Sequence, residues 1–558
     1  MVNRWGFCAC TMSISPPRHD APAPTSANLF IKMSDNMRER RRQFRRNKRL
    51  HGTEGGTRRR DSESTFRERF ICWVASLQVL FLAWSLGSMH LWAHVVNTTL
   101  ACVAFFGLFL PGKHVLRWDS RASGIRLLPR SGVFWFGLLF VAYVGVQGFN
   151  HSWKYQEVVE EIWIDNPNAE DPLSKEEHIG WQVVPVESNG WLPSSVQMPY
   201  GRINAAMGML PIVLPAWLWA CVLTTGLERR SALRSILWAA VLGAAAMALF
   251  GIVQRLLGAD KIFGWIASSN LEFFGSFIYP NHAAAFLYLV LGAAMGLAFH
   301  AHARSARRDL RSGPHYILIF LALVLLLALL LSHSKAGIVL GLSVAAFGIC
   351  ASFVRMLGQG SDFRQGITLG ILFVCGMGFS IYAFFNFVDI GRLLMDFKTI
   401  EAGAQSISVE ERVELQQATW KAFKDNHWLG TGAGSFRYYF PFVQQDAAFT
   451  MLGAGERYYE HAHSDYLQAL MEYGILGCIP LCLFFMVLLL RSISAVLRRP
   501  SVHLSLLVGV GAFALHAWWD FPAQCPSVLL LVIFILAIIS RWGVVDAQQQ
   551  RIDNDPTG

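Results

Sequence analysis

His461-Ala462-His463-Ser464-Asp465-Tyr466-Leu467-Gln468 stands just ahead of a long apolar run, with Glu472 and Gly474 following. Imidazoles beside carboxylates can exchange protons or hold a metal. Three further clusters carry groups able to do chemistry. Tyr279-Pro280-Asn281-His282 enters one apolar run, and Ser332-His333-Ser334-Lys335-Ala336-Gly337 separates two others. The segment Glu410 to Phe436 holds Arg412 and the glycine-rich Gly430-Thr431-Gly432-Ala433-Gly434. Simpler readings compete with each. Asn281-His282 could cap a helix. Lys335 could snorkel to lipid headgroups, although a cation beside Ser332 and Ser334 at a span end is costly enough to suggest a role. The glycine run is no Walker loop, because no Gly-Lys-Ser/Thr follows it. A metal is disfavoured: His-x-His at a helix start seldom puts both rings on one ion, and Glu472 lies two turns on.

The elements that position these clusters are membrane spans. The chain has 558 residues, of which 53% are hydrophobic and 15% charged, with mean hydropathy +0.37. Soluble domains carry about 25% charged residues. A secreted enzyme, a cytosolic enzyme and a disordered scaffold are therefore excluded, and an all-α, polytopic membrane protein is expected. A span needs roughly 20 apolar residues. That ruler marks twelve, near 70–90, 93–112, 132–150, 205–226, 233–254, 282–303, 315–332, 336–354, 367–388, 474–490, 503–520 and 524–542. Alternate connections are basic, among them Arg117 to Arg130, Arg229 to Arg234, Arg304 to Arg311, Arg355 with Arg364, and Arg491 to Arg499. The positive-inside rule then puts both termini in the cytoplasm and all four clusters at the outer interface.

Residues 1–69 hold 16 Lys/Arg against 7 Asp/Glu and form a basic cytoplasmic tail. Within its arginine runs, Arg38 to Arg49 and Arg58 to Arg60, the one aromatic is Phe44, so base stacking is not supported and no nucleic-acid partner is expected; anionic lipid is the simpler partner. The membrane domain runs over 70–543, and a cytoplasmic C-terminal tail over 544–558. Two long outer loops remain. Residues 151–204 carry nine Asp/Glu against three Lys/Arg. Residues 389–473 are mixed, and Val413, Trp420 and Phe423 recur there at helical spacing, as in an amphipathic helix on the outer leaflet. Neither loop contains cysteine, so no disulfide framework is expected. Cys478 and Cys482, one turn apart in an apolar span, read as core packing.

Together the clusters resemble one family. Asn281-His282 looks like its N-H signature before a span, and Ser332 to Gly337 is similar to its S-x-S-R-G turn. Arg412, Trp420 and Trp428-Leu429-Gly430-Thr431-Gly432-Ala433-Gly434-Ser435-Phe436 resemble its R…W…P-L-G-x-G-x-G-x-F block. His463-Ser464, nine residues and then Gly474-Ile475-Leu476-Gly477 fit H-[N/S/Q]-x9-G-x-x-[G/T/Y]. This is the O-antigen ligase and O-antigen polymerase superfamily, and its core would fall over 315–490. Lys335 stands where an arginine is usual, and His427-Trp428 replaces the usual proline.

The resemblance implies a bacterial inner-membrane enzyme of lipopolysaccharide biosynthesis. Such an enzyme moves a glycan from a polyprenyl diphosphate to an acceptor hydroxyl, on a lipid or a glycan, at the periplasmic face. The diphosphate bond supplies the free energy, so no cofactor and no metal is implied. On that reading His463 is the base and Arg412 and Lys335 stabilise the departing diphosphate. Arg255, Asn281, His282, His461, Asp465 and Glu472 are candidate substrate-binding residues, with Arg255 a third cation and Asp465 or Glu472 able to orient His463. A polymerase of the same superfamily is the alternative. A non-enzymatic polysaccharide transporter is disfavoured, because few charges lie mid-span.

Overall fold

A computed structural model of the chain describes residues 64–111, 124–165, 173–197, 204–268, 270, 272–307, 313–359, 407–446, 459–498 and 502–554. It is mostly helical. The helices are α1 (Phe66–Trp84), α2 (Leu91–Phe106), α3 (Gly132–Phe149), α4 (Ala205–Thr225), α5 (Arg230–Leu256), α6 (Pro280–Arg307), α7 (His315–Leu331) and α8 (Lys335–Gln359). They continue with α9 (Ile407–Asp425), α10 (Phe436–Asp446), α11 (Asp465–Arg498), α12 (Val502–Trp519) and α13 (Pro526–Asn554). Most are apolar on every side. That pattern suits segments whose solvent is lipid or another helix, since backbone polar groups in hydrocarbon must be satisfied within the helix.

Among the described residues, eight helices are long and apolar enough to cross a membrane: α2 to α6 and α11 to α13. The helix α7 and the Lys335–Cys350 part of α8 are apolar but shorter. This is fewer than the twelve spans expected. The run 367–388 lies outside the described residues. The run 70–90 is α1, which begins with Arg67, Glu68 and Arg69 and then breaks at Leu86–Ser88, where all three residues have positive φ.

The core lies along α6 and α13, whose residues are almost all buried. Trp219, Tyr288, Phe286 and Phe534 are among its largest fully buried side chains. Around them, the outer helices turn Trp73, Leu91, Phe106, Leu139, Phe320 and Leu489 outward, which leaves an apolar surface suited to lipid.

The acidic 151–204 loop departs from an all-α reading. Strand β1 (His151–Asp165) pairs antiparallel with β2 (Leu173–Pro185), from Trp153 opposite Pro185 to Asp165 opposite Leu173. β3 (Ser195–Gln197) joins the other edge of β1 in parallel. Val158, Val159, Ile162, Trp163 and Ile164 supply the β-branched and aromatic residues that favour a strand.

The helix expected around Val413 to Phe423 is α9, but its apolar stripe divides. Leu415, Ala418, Ala422 and Phe423 are buried against Phe436, Phe440, Ala462 and Met471, whereas Val413 and Trp420 face outward.

Candidate active site

α11 is not continuous. At Gly474 the backbone turns to φ 59°, ψ −174°, and the ladder breaks. A break at membrane depth frees carbonyls and N–H groups that need partners. The glycine-rich segment supplies them. Thr431 N donates to the Met471 carbonyl (2.9 Å) and Gly432 N to that of Glu472 (2.8 Å). Tyr143 Oη donates to the Tyr473 carbonyl (2.9 Å) and to that of Leu429 (2.7 Å). Beyond the break, Ile475 N and Leu476 N donate to the carbonyls of His427 (2.8 Å) and Trp428 (3.1 Å). The two strands of chain touch closely. A Cβ at Gly430 would lie 2.5 Å from Glu472 O and Gly474 N, and one at Gly474 would lie 2.5 Å from Gly430 N and Trp428 O. With positive φ at both, only glycine fits.

Glu472 completes this clamp. Its carboxylate accepts from Gly434 N (2.9 Å), Phe436 N (3.3 Å) and Gln468 Nε2 (3.0 Å). Asp465 holds a different segment, accepting from Ala523 N (2.8 Å) and Gln524 Nε2 (3.2 Å). Both carboxylates are buried and engaged with loop groups.

The segment that Asp465 holds carries Asp520, between α12 and α13. Asp520 N–H to carbonyl bonding continues α12, from Asp520 N to His516 O (3.0 Å). Its carboxylate is buried and accepts from Phe521 N (2.9 Å) and from Asn281 Nδ2. His463 Nδ1 lies 3.5 Å from Asp520 Oδ1, and His516 Nε2 lies 3.7 Å from Oδ2. Burial alone would raise this carboxyl. The imidazoles of His463 and His516 close to it, with the charge of Arg412, outweigh burial and hold it well below the usual carboxylate range.

His463 is held from several sides. Its φ is 48°, a left-handed conformation uncommon outside glycine. Gln416 Nε2 on α9 donates to its carbonyl (3.0 Å), and its ring meets Phe521 edge-on at 4.8 Å between centroids. The side chain remains 27% exposed, unlike that of Asp520 at 3%. With Nδ1 turned to Asp520, Nε2 is the nitrogen left for a substrate.

Several of the sequence candidates meet here. Asn281 at the start of α6 links two clusters: Nδ2 donates to Asp520, and Oδ1 accepts from Ser334 Oγ (2.6 Å). Ser334 Oγ in turn accepts from Gly337 N (3.1 Å), capping α8, and half-buried Lys335 is the next residue. Arg412 Nη1 donates to the Trp519 carbonyl (3.4 Å), beside Asp520. His461 stacks on Phe521 at 4.6 Å, and His282 meets the same ring at 5.3 Å. Burial, with the charges of Arg437, His282 and His463, pushes His461 down to about 3, so its ring is neutral at physiological pH. Arg255 is placed differently. Its Nη2 donates to the Glu272 carbonyl (3.1 Å), and its charge faces His333 rather than Asp520. Among the described residues, no group of three or more His, Cys, Asp or Glu side chains could hold a metal ion.

Sequence reasoning passed over Asp520, Phe521 and His516. The signal was present in Trp518-Trp519-Asp520-Phe521-Pro522, a lone carboxylate in a very short connection between apolar runs.

Residues 320–482 match the family model described as O-antigen ligase. The match starts in α7 and ends in α11, and so includes Ser334, Lys335, Arg412, the glycine run and His463. Asn281 and Asp520 fall outside it. No curated protein matches the chain.

Proposed function

We propose that this chain, a multi-pass bacterial membrane protein of the O-antigen ligase superfamily, moves a glycan from a polyprenyl diphosphate to an acceptor hydroxyl at the periplasmic face of the inner membrane. The observation that carries the reading is the His463–Asp520 pair at the broken end of α11. A buried, ionised carboxylate opposite Nδ1 favours the tautomer with the proton on Nδ1 and the lone pair on Nε2. That is the arrangement a general base needs.

The acceptor hydroxyl gives its proton to His463 Nε2 as its oxygen bonds to the anomeric carbon. The bond from that carbon to the diphosphate oxygen breaks, and polyprenyl diphosphate leaves with the added negative charge. One displacement of this kind inverts the anomeric centre. Arg412, beside Asp520, and Lys335, one residue beyond the Ser334–Asn281 link, are the cations available to that charge. His461, neutral and stacked on Phe521, suits an acceptor-side wall rather than an ionic contact. A transporter has no need of an imidazole held in a left-handed conformation against a buried carboxylate, whereas a transferase does.

The test is transfer in vitro from a lipid-linked donor by purified His463→Ala. Transfer should drop by about 10²–10⁴-fold, the usual contribution of a general base, with unchanged insertion and melting temperature. A correctly folded His463→Ala working at near wild-type rate would refute the assignment. Offering lipid-linked glycan and free lipid as competing acceptors separates a polymerase from a ligase.

A further inference from the structure

At the end of the bundle opposite His463, a cavity of about 450 Å³ opens between residues 127–131, just ahead of α3, and the helices α4, α11 and α13. Arg491 is roughly 25 Å along α11 from the break at Gly474, at about 1.5 Å per residue. Arg130, Arg491, Arg498 and Arg541 line the cavity together with the hydroxyls of Ser131 and Ser540, and among the described residues no carboxylate does.

The arginines divide by their partners. Elsewhere at this end the acids are committed: Arg67 pairs with Glu228, Arg229 with Glu68 (3.4 Å) and Arg230 with Asp546 (2.5 Å). Arg541 donates to the Leu227 carbonyl and feels the charges of Glu228 and Glu68. Among the described residues, no carboxylate lies within ion-pair distance of Arg130, Arg491 or Arg498. Arg491 is half-buried, and its side chain reaches only Ser131 Oγ, at 3.5 Å. The positive-inside rule puts basic residues in loops. It does not explain a half-buried arginine on a membrane-spanning helix, walled by hydroxyls and with no acid beside it among the described residues. Such a cation is costly unless an anion meets it. At the rim, Leu490 and Val544 are exposed apolar side chains. The cavity therefore offers guanidinium and hydroxyl donors inside and hydrocarbon at its mouth.

We propose that this cavity binds the phosphate headgroup of an anionic phospholipid from the leaflet opposite the His463 site. Guanidinium forks match phosphate oxygens, and the volume is within the range of small-ligand pockets. A basic pocket between helices at the cytoplasmic side is a recurrent lipid-headgroup solution.

The test uses the full chain in nanodiscs of mixed phosphatidylglycerol and phosphatidylcholine. After gentle delipidation, native mass spectrometry counts the lipids retained. The wild type should retain phosphatidylglycerol about tenfold in preference to phosphatidylcholine. Arg491→Ala should reduce that preference about tenfold, the order expected for losing a hydrogen bond to a charged group. Arg498→Gln, at an exposed position that leaves packing intact, should reduce it in the same direction. Equal retention of the two lipids by the wild type would overturn the proposal, as would unchanged preference in folded Arg498→Gln. A second arm adds inorganic phosphate. Displacement of the lipid at millimolar phosphate would overturn the lipid assignment in favour of a soluble phosphate; retention supports the lipid.

Discussion

Asp520→Asn tests the His463–Asp520 pair with almost no change of shape. The wild-type carboxylate accepts from Asn281 Nδ2 and Phe521 N and faces His463 Nδ1 at 3.5 Å. An amide keeps one acceptor oxygen. Asn281 Nδ2 donates to Oδ2 and Phe521 N to Oδ1, so one of these bonds is lost whichever way the amide turns; with its oxygen on Asn281, the new NH2 group takes the Oδ1 position toward His463. An N–H donor opposite Nδ1 favours the tautomer with its lone pair on Nδ1 and its proton on Nε2, which removes the base from the substrate side. The loss should approach that of deleting the imidazole, about 10²–10⁴-fold in turnover. Removing the charge also leaves the barrier for an imidazolium formed during transfer unrelieved. Binding of the donor should change little, because the substituted group faces His463 and not the substrate. The assay is transfer of a lipid-linked glycan by purified Asp520→Asn, read as turnover and donor KM, with thermal melting as the folding check. A folded Asp520→Asn within about threefold of the wild-type turnover would refute the tautomer argument.

Three other outcomes follow from the same geometry. Arg412→Ala should lower turnover by several orders of magnitude in the same assay, and Arg412→Lys should recover little, since a point charge does not reproduce the guanidinium fork; a fully active Arg412→Ala removes it from the site. Transfer should survive chelator without loss, and restoration of a chelated enzyme by one divalent ion would return the His461/His463/Asp465 metal reading. His461, buried with a value of about 3 against an ordinary 6.5, binds more protons unfolded than folded between those limits. Its contribution to stability is therefore full above about pH 6.5 and lost as pH falls, reaching about 2 kcal/mol at pH 5. His461→Phe, which keeps the stack on Phe521, should flatten the acid side of a melting-temperature profile; an unchanged acid slope would show that His461 does not set it.

What the sequence showed and what it hid divide along contact range. Runs of apolar residues announce helices because one segment suffices to show them, and the Asn281, Ser334 and His463 clusters stood out because each is a local pattern at a span end. Asp520 has no such pattern. Its significance lies in Asn281, 239 residues away, and in His463, which precedes α11. Asp465 and Glu472 misled in the other direction. They neighbour His463 in sequence, but the chain at His463 is left-handed, so helical spacing does not extrapolate back from α11 to the imidazole. Within the helix, Asp465, Gln468 and Glu472 share one buried face, and that face meets loop N–H groups. The β1–β2 hairpin was hidden because its glutamates dominated the composition of the loop, while the strand signal lay in the valines, isoleucines and tryptophan between them.

The region matching the O-antigen ligase family supplies the imidazole and the clamp, but it does not by itself hold the imidazole in place. Residues 320–482 contain His463, Gln416, Glu472 and the glycine run, whereas Asn281 comes from α6 on one side and Asp520 and Phe521 from the α12–α13 turn on the other. Phe521 alone touches the rings of His282, His461 and His463, and Asp465 fixes the turn that carries it through Ala523 N and Gln524 Nε2. The break at Gly474 gives the start of α11 a direction independent of the span below. That short segment is then docked by the glycine run on one side and by the α12–α13 turn on the other. Position of the proposed base is thus set by three separate stretches of chain meeting at one helix start, and the part-exposed imidazole depends on buried partners that lie outside the matched region.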